Sequence, residues 1–265
     1  MSLHVESYGQ GAPLLLIHGW GMHSGVWGSV AERLAENFRV HCVDLPGHGF
    51  NEGGDLSRPI DVAINPDQQL DSLVDELSAQ FSEPVSLCGW SLSGQIAMRW
   101  ALRHPQQVQR LVLVASTPCF VQQPDWPWAM SPETLDDFST ALLKNPRATL
   151  MRFVALQARG SEREREVLSY LRERVFSRGE HDVAALQAGL EILRVTDLRG
   201  QIKQITQATL VFSGERDLLT PPAAQTWLAH TLPNARLQIV AGAAHAPFVS
   251  HADIFVQHTT DFMHE

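Results

Sequence analysis

The sequence has few of the residues and runs that mark several large classes of protein. Among 265 residues there are only three cysteines, and their spacing is not that of a metal site. No apolar run approaches the length that a bilayer requires, and Met1–Glu6 lacks the basic start and apolar stretch of a signal peptide. We therefore expect a cytoplasmic protein without a membrane segment, whose cysteines are buried and reduced.

Positive charge is also scarce. The formal net charge is −9, which argues against a general nucleic-acid binder. No His-x-x-x-His or Cys-x-x-Cys spacing accompanies a carboxylate, so we do not expect a metal site. The rest of the composition is that of an ordinary globular protein. Its length suits one large α/β domain with room for an inserted subdomain.

Short apolar runs alternate with helical stripes over most of the chain. Pro13–Ile17 has the pattern of a strand buried on both faces, and Leu3–Tyr8 alternates weakly, as an edge strand does. A polar linker, Asn51 to Asn65, precedes a predicted helix over Pro66–Phe81. The alternation predicts a mostly parallel sheet flanked by helices. The other predicted strands are Arg39–Val43, Pro84–Cys88, Val108–Ala115, Ala208–Ser213 and Arg236–Val240, and one final helix is predicted to run to about Met263.

The strand signal stops between Thr117 and Thr196. We therefore divide the chain into a first core part, 1–116, an insertion, 117–196, and a second core part, 197–265, and expect the insertion to form a helical lid. Between Lys144 and Arg178 it has nine basic and four acidic residues, a local charge of about +5. Such an island can steer an acidic partner, although a solvated, salt-bridged surface has the same composition. The predicted helices lie near Pro132–Leu143, Pro146–Ala158, Glu162–Phe176 and His181–Val195.

The stretch Leu87–Gly94 places Ser91 between a predicted strand and a predicted helix, Leu92–His104. A sharp strand-to-helix turn needs small neighbours because the backbone is crowded there. The following helix directs its N-terminus at the same point, which favours a developing negative charge. Ser93 stands where the usual G-x-S-x-G pattern has its second glycine. Because a serine hydroxyl is a poor nucleophile without a base, a buried turn serine is the alternative unless partners are found.

Two candidate partners follow later predicted strands. Asp217 comes after Ala208–Ser213, and His245 comes after Arg236–Val240. The carboxyl ends of parallel strands lie on one edge of a sheet, so these side chains are expected near Ser91. His245 would accept the serine proton and return it to the leaving group, and Asp217 would hold the imidazole in the right tautomer.

Other loops at strand ends supply further candidates. The loop His18–Gly21 can present a backbone N–H group, so the amides of Trp20 and Leu92 are predicted to form an oxyanion hole. Asp44 is a candidate catalytic acid, but it is interpreted as a carboxylate that caps loop N–H groups. Asp197, or another late carboxylate, stays open as a substitute for Asp217.

The order of nucleophile, acid and base is that of the α/β-hydrolase superfamily, which the whole chain resembles. More narrowly, the chain is similar to the carboxylesterase family of biotin synthesis that demethylates pimeloyl-[acyl-carrier protein] methyl ester. The likeness extends along the chain and includes the insertion, where hydrolase families usually diverge. It is carried by His18–Gly21, Gly89–Leu92, Ala115–Phe120, Arg152–Gln157, Gly189–Leu193 and Ala243–Phe248.

This resemblance implies an α/β-hydrolase fold and a monomeric serine carboxylesterase that acts without a cofactor on an acyl-carrier protein substrate. It implies a triad of Ser91, Asp217 and His245, with Trp20 and Leu92 lining the substrate site beside the triad. The implied acyl channel consists of Phe153, Val154, Ala155, Leu156 and Gln157. Arg152 and Arg165 match positions that contact the carrier protein, whereas the other insertion arginines, including the candidates Arg147 and Arg159, do not all match.

Three alternatives remain at this stage. A general short-chain carboxylesterase of the same fold is the first, because a hydrophobic pocket discriminates poorly among acyl chains. A non-catalytic binding module would have no need for the three triad groups. A halide or epoxide hydrolase would need a carboxylate at position 91 instead of Ser91.

Overall fold

A computed structural model describes residues 3–51 and 66–265. The predicted linker, apart from Asn51, lies outside these described residues. The centre of the fold is a seven-stranded sheet with the order β1-β3-β2-β4-β5-β6-β7. Only β1 is antiparallel to its neighbour, and the other pairs are parallel. The strands are β1 Val5–Tyr8, β2 Pro13–Ile17, β3 Arg39–Val43, β4 Val85–Trp90, β5 Val108–Val114, β6 Ala208–Gly214 and β7 Ala235–Val240.

The core helices connect these strands, as parallel pairing requires. Helix α1 packs against α10, and α2 packs against α3. The predicted C-terminal helix is in fact two helices, because His251 takes a non-helical conformation with φ −134° and ψ 53°. The core helices are α1 Gly28–Leu34, α2 Pro66–Ser78, α3 Leu92–Arg103, α8 Pro222–Thr231, α9 Pro247–Ser250 and α10 Ala252–His264.

The buried centre of the sheet explains the continuous apolar runs. Every residue of β2 and β4 is buried, as expected for parallel strands covered on both faces. Strand β1 lies at the edge and is half-buried to exposed. All three cysteines are free and buried, and burial raises the pKa of the Cys42 thiol to about 12. The predicted fold class is therefore observed. Strand β7 forms the edge of the sheet opposite β1.

Four helices lie between β5 and β6. They are α4 Pro132–Lys144, α5 Pro146–Ala158, α6 Glu164–Val175 and α7 Val183–Val195. Capping side chains define where three of them begin, because Ser131, Asn145 and Asp182 each accept a bond from a first-turn amide. The chain enters and leaves this insertion side by side, since Leu198 N donates to Pro118 O at 3.0 Å.

The segment between α6 and α7 is fastened to the core through Arg178. Its guanidinium donates to Asp44 at 3.0 Å, to Ser24 Oγ at 2.7 Å and to both carboxylate oxygens of Glu6 at 2.8 and 2.9 Å. It also lies over the Phe50 ring. We call Arg178 with Glu6, Ser24 and Asp44 the Arg178 latch. These contacts bind the insertion to the loops that follow β2 and β3.

Two groups of features are not found in the described ranges. None of the helices within 3–51 and 66–265 combines the length and apolar character needed to cross a membrane. Over the same residues, no three His, Cys, Asp or Glu side chains are grouped so that they could hold a metal ion.

Candidate active site

Ser91 occupies a strained turn between β4 and α3. Its φ of 57° and ψ of −119° are unusual for a residue with a side chain. The turn is fixed by bonds from Ser91 N to Val114 O at 2.9 Å and from Ser116 Oγ to Ser91 O at 2.8 Å. A Cβ on Gly94 would lie only 2.0 Å from Ser116 Oγ. The crowding therefore explains the small residues around Ser91.

The three residues predicted from the ends of β4, β6 and β7 meet in one hydrogen-bonded chain. His245 Nε2 lies 2.9 Å from Ser91 Oγ, and His245 Nδ1 lies 2.9 and 3.1 Å from the two oxygens of Asp217. All three side chains are buried. With a neutral imidazole, Ser91 donates to Nε2 and Nδ1–H donates to the carboxylate. This is the connectivity that makes a serine hydroxyl nucleophilic.

Two hydrogen bonds hold the backbone of His245, one at its carbonyl group and one at its amide group. Trp90 Nε1 donates to His245 O at 2.8 Å, and His245 N donates to Gln157 O at 3.3 Å. The first bond ties the histidine loop to the strand that carries the serine. The second ties the same loop to α5 of the insertion.

The two other carboxylates considered from the sequence have different partners. Asp197 is bound by the guanidinium of Arg199. Asp44 accepts from Ser24 N at 2.6 Å and from Phe50 N at 2.9 Å. The interpretation of Asp44 as a loop cap is confirmed, and its contact with Arg178 in the latch was not foreseen.

Two backbone amides near Ser91 are available to a ligand. Within the described ranges, the amides of Trp20 and Leu92 donate to no protein acceptor. Leu92 is the first residue of α3, where amides lack helical partners and the helix dipole is positive. The Trp20 loop lies against the serine, because a Cβ on Gly19 would be 3.3 Å from Ser91 Cβ. Ser93 Oγ donates to His18 O and so joins this loop to α3.

The His18 ring further fixes this loop. Burial lowers the pKa of His18 to about 4, so its ring is neutral at pH 7. His18 Nε2 accepts from Leu45 N at 3.0 Å, so the proton is on Nδ1, which donates to Gly19 O at 2.9 Å. The Gly19 carbonyl and the Trp20 amide belong to one peptide group. The ring therefore sets the direction of the Trp20 N–H.

Comparison with known proteins places this geometry in a family. A family model described as the alpha/beta hydrolase family matches residues 14–258. The chain belongs to the alpha/beta hydrolase family. A relative from Nitrosomonas europaea, named pimeloyl-[acyl-carrier protein] methyl ester esterase, is 44% identical over 96% of this chain and 97% of its own. One of the same name from Nitrosospira multiformis is 38% identical over 99% and 98%.

A solved structure with the same fold is the bromoperoxidase from Bacillus anthracis. Its TM-score is 0.86 at 19% identity, and the match covers 99% of this chain and 95% of that one. At this identity the likeness concerns the fold alone. The chemistry of this alpha/beta hydrolase must therefore be argued from its own side chains.

The residues predicted to line an acyl channel lie on α5, but they are not equally close to the site. The Phe153 ring packs edge-on against Trp20, with 4.8 Å between centroids. Gln157 reaches the site through its carbonyl bond to His245, and its buried side-chain oxygen has no protein partner within the described residues. Val154 is buried, whereas Ala155 and Leu156 are half-buried. Trp20 is itself held by a 2.8 Å bond from Nε1 to Leu186 O on α7.

The predicted docking arginines differ in how far they are already paired. Arg152, Arg159 and Arg165 are exposed and have no ion pair within the described ranges. Arg147 pairs with Glu180 and lies over the Phe176 ring. The charges of Arg147 and Arg178 are thus both neutralised by acidic residues that lie outside the segment 144–178. The sequence count therefore overstates the positive charge that this surface offers.

The turn between α5 and α6 contacts the histidine loop directly. Glu162 N donates to Gly242 O at 2.9 Å, and Glu162 Oε1 lies 3.2 Å from His251 Nε2. Arg159 and Arg165 flank this turn. In this alpha/beta hydrolase, the turn between the exposed Arg159 and Arg165 is thus bonded to the loop that carries His245.

Proposed function

We propose that this protein is a serine carboxylesterase of biotin biosynthesis. It hydrolyses the methyl ester of pimeloyl-[acyl-carrier protein] to pimeloyl-[acyl-carrier protein] and methanol. The hydrogen-bonded chain of Ser91, His245 and Asp217 carries the chemical part of this proposal. The name shared by relatives that are 38–44% identical over nearly the full chain supports the substrate.

In the first half of the reaction, Ser91 Oγ attacks the methyl ester carbonyl while His245 Nε2 accepts the hydroxyl proton. The carbonyl oxygen becomes an oxyanion, which the amides of Trp20 and Leu92 bind. His245 then donates the proton to the methoxy oxygen, and methanol leaves. Asp217 stabilises the imidazolium that exists between the two transfers.

In the second half, water replaces methanol. His245 accepts a proton from the water as its oxygen attacks the acyl-enzyme carbonyl, and the same two amides bind the new oxyanion. The Ser91 ester bond breaks, His245 returns the proton to Ser91 Oγ, and the free carboxylic acid is released. The carrier protein stays attached at the other end of the acyl chain throughout.

The insertion 117–196 is proposed to act as a lid and to supply the acyl channel. Phe153 and Gln157 support this assignment because they contact Trp20 and the His245 loop, respectively. Val154, Ala155 and Leu156 are proposed to continue the same wall along α5. An apolar wall fits the methylene chain of a pimeloyl group.

The carrier protein is proposed to dock on the exposed arginines of the insertion. Arg152, Arg159 and Arg165 support this because their charges are not neutralised by described residues. Arg147 contributes less, since Glu180 already pairs with it. Exposed charges of one sign raise the rate of encounter with an acidic partner, and added salt weakens the effect.

We further propose that the enzyme works as a cytoplasmic monomer without a metal or organic cofactor. The three free, buried cysteines support a reducing compartment. Light scattering of the purified protein would test the monomeric state. Activity that persists in the presence of a chelator would test the independence from metal.

The experiment that tests the function compares two substrates. Hydrolysis of pimeloyl-[acyl-carrier protein] methyl ester and of a small butyrate ester is measured for the wild type and Ser91→Ala. We expect a much higher kcat/KM for the carrier-bound substrate, a fall with added salt, and no activity in the variant. Equal or better cleavage of the small ester without a salt effect would instead indicate a general short-chain carboxylesterase. Full activity of Ser91→Ala would refute the serine mechanism.

A further inference from the structure

A buried polar chain continues behind the Asp217 carboxylate, away from His245. Thr220 Oγ1 donates to Asp217 Oδ2 at 2.7 Å, and the amides of Leu219 and Thr220 donate to Oδ1 at 2.9 and 3.0 Å. Together with His245 Nδ1, the carboxylate therefore has four hydrogen-bond donors. Asp217 and Thr220 are both almost completely buried, so water does not replace any of these bonds.

The direction of the Thr220 hydroxyl is itself determined. Gln225 Nε2 on α8 donates to Thr220 O at 2.7 Å and lies 3.4 Å from Thr220 Oγ1. A side-chain amide on that side of the hydroxyl leaves the hydroxyl proton to point at Asp217. Gln225 is fully buried, which keeps this arrangement fixed.

We propose that Thr220 acts on the reaction through Asp217: its hydroxyl donates to Asp217 Oδ2, the oxygen nearer to His245 Nδ1, and thereby limits how strongly the aspartate binds the imidazolium. This inference rests on the proposed function, because it assumes that His245 is the base. The two backbone amides on Oδ1 keep the carboxylate in place without Thr220. Loss of the hydroxyl therefore changes the charge that His245 meets rather than the position of the carboxylate.

The physical consequence has a definite sign. A hydroxyl that donates to a carboxylate disperses its negative charge. Without it, the whole charge acts on the imidazolium, so removing the proton from His245 costs more free energy and the base is regenerated less readily. Transfer of that proton to the leaving group is also less favourable. A stronger bond from Asp217 also favours acceptance of the serine proton, but it opposes both regeneration of the base and protonation of the leaving group. We therefore expect a net fall in rate without a change in the binding of the acyl chain.

The test uses Thr220→Val, which has nearly the same shape, and Thr220→Ser, which restores the hydroxyl. The matched control is Thr259→Val on α10, which removes a buried hydroxyl that has no partner within the described residues. The pH dependence of kcat/KM is measured on a small butyrate ester, together with kcat, KM and thermal stability. Ser91→Ala is measured beside them.

For Thr220→Val we expect the acidic limb of the profile to move to higher pH by about half a unit to one unit. We expect kcat to fall about tenfold, the equivalent of one hydrogen bond to a charged group, with KM unchanged. Thr220→Ser should lie close to the wild type, and Thr259→Val should match it.

Three outcomes would overturn the proposal. An unmoved acidic limb with a lower melting temperature would give Thr220 a structural role only. A limb that moves to lower pH would show that the carboxylate turns away from His245. Wild-type kinetics of Thr220→Val would show that the hydroxyl does not matter. Each of these leaves Ser91→Ala inactive, whereas an active Ser91→Ala would refute the proposed function itself.

Discussion

Replacing Arg178 by methionine tests whether the Arg178 latch holds the insertion on the core. Methionine keeps the apolar stem of the side chain and removes only the guanidinium. The carboxylate of Asp44, whose side chain is 0% exposed, then loses its one ion pair in the described structure. Glu6 also loses its bonds to the guanidinium, but it keeps the bond from the Tyr8 hydroxyl at 3.1 Å. Its side chain is 28% exposed, so water replaces the lost bonds.

The magnitude follows from what Asp44 retains. Removing one member of a buried ion pair costs about 3–5 kcal/mol. Because the amides of Ser24 and Phe50 still donate to Asp44, we expect the lower end, about 3 kcal/mol. For a chain of this size that corresponds to a fall of about 6–12 °C in the melting temperature.

Thermal and urea unfolding followed by circular dichroism would measure this change. The matched control is Arg147→Met, which breaks an ion pair whose two side chains are 61% and 66% exposed, so it should change stability by less than about 1 kcal/mol. Adding Asp44→Asn to Arg178→Met should restore part of the loss, because no buried charge then lacks a partner. Equal, small effects of both methionine variants would refute the role of the latch.

Three further predictions concern the stability at acidic pH, a reversed charge at Arg165 and the replacement of Ser93. His18 has a pKa lowered from 6.5 to about 4 by burial, so between these values the unfolded chain binds a proton that the folded chain does not. His18 alone should therefore lower the stability by about 3 kcal/mol as the pH drops from 6.5 to 4. Burial also lowers the pKa values of His23, His48 and His181, which should add to the fall, and equal urea midpoints at both pH values would contradict this. Arg165→Glu should lower kcat/KM for the carrier-bound ester by about five- to tenfold at low salt and spare a small ester; an equal loss on both would argue against docking. Ser93→Gly removes the bond to His18 O and should lower kcat by about three- to tenfold without a change in KM, so wild-type kinetics would show that the proposed oxyanion hole does not depend on this bond.

Local patterns in the sequence were sufficient to predict the strands and the turn that carries Ser91. The apolar run before Ser91 and the helical spacing after it predicted a strand-to-helix turn, and β4 and α3 meet there. The predicted boundaries differ from the observed ones by a few residues at most of the sheet strands. The C-terminal helix is the exception, because the periodicity continues across His251 while its backbone leaves the helix.

The rest of the site depends on contacts that no local pattern reports. Arg178 bonds to Asp44, which is 134 positions away in the sequence. The charge count includes Arg178 in the basic segment, whereas the structure shows that its charge is paired with residues of the core. The bond from Thr220 to Asp217 spans only three positions, but a threonine after an aspartate is too common to be noticed. The proton on His18 Nδ1 follows from the distant amide of Leu45. Sequence therefore predicted which elements meet, and the structure was needed to show which atoms do.

The adjacent ends of the insertion have a consequence for engineering. Because Pro118 and Leu198 are joined by one backbone hydrogen bond, we expect that the segment between them can be exchanged between relatives as one cassette while the sheet is left unaltered. The Arg178 latch sets the condition for such a chimaera. A donor cassette without a cation at this position would leave the carboxylates of Glu6 and Asp44 in the recipient without the ion pair that Arg178 provides. We therefore expect a chimaera to fold with the specificity of its donor only when the cation of the cassette and the two carboxylates of the core are chosen as a pair.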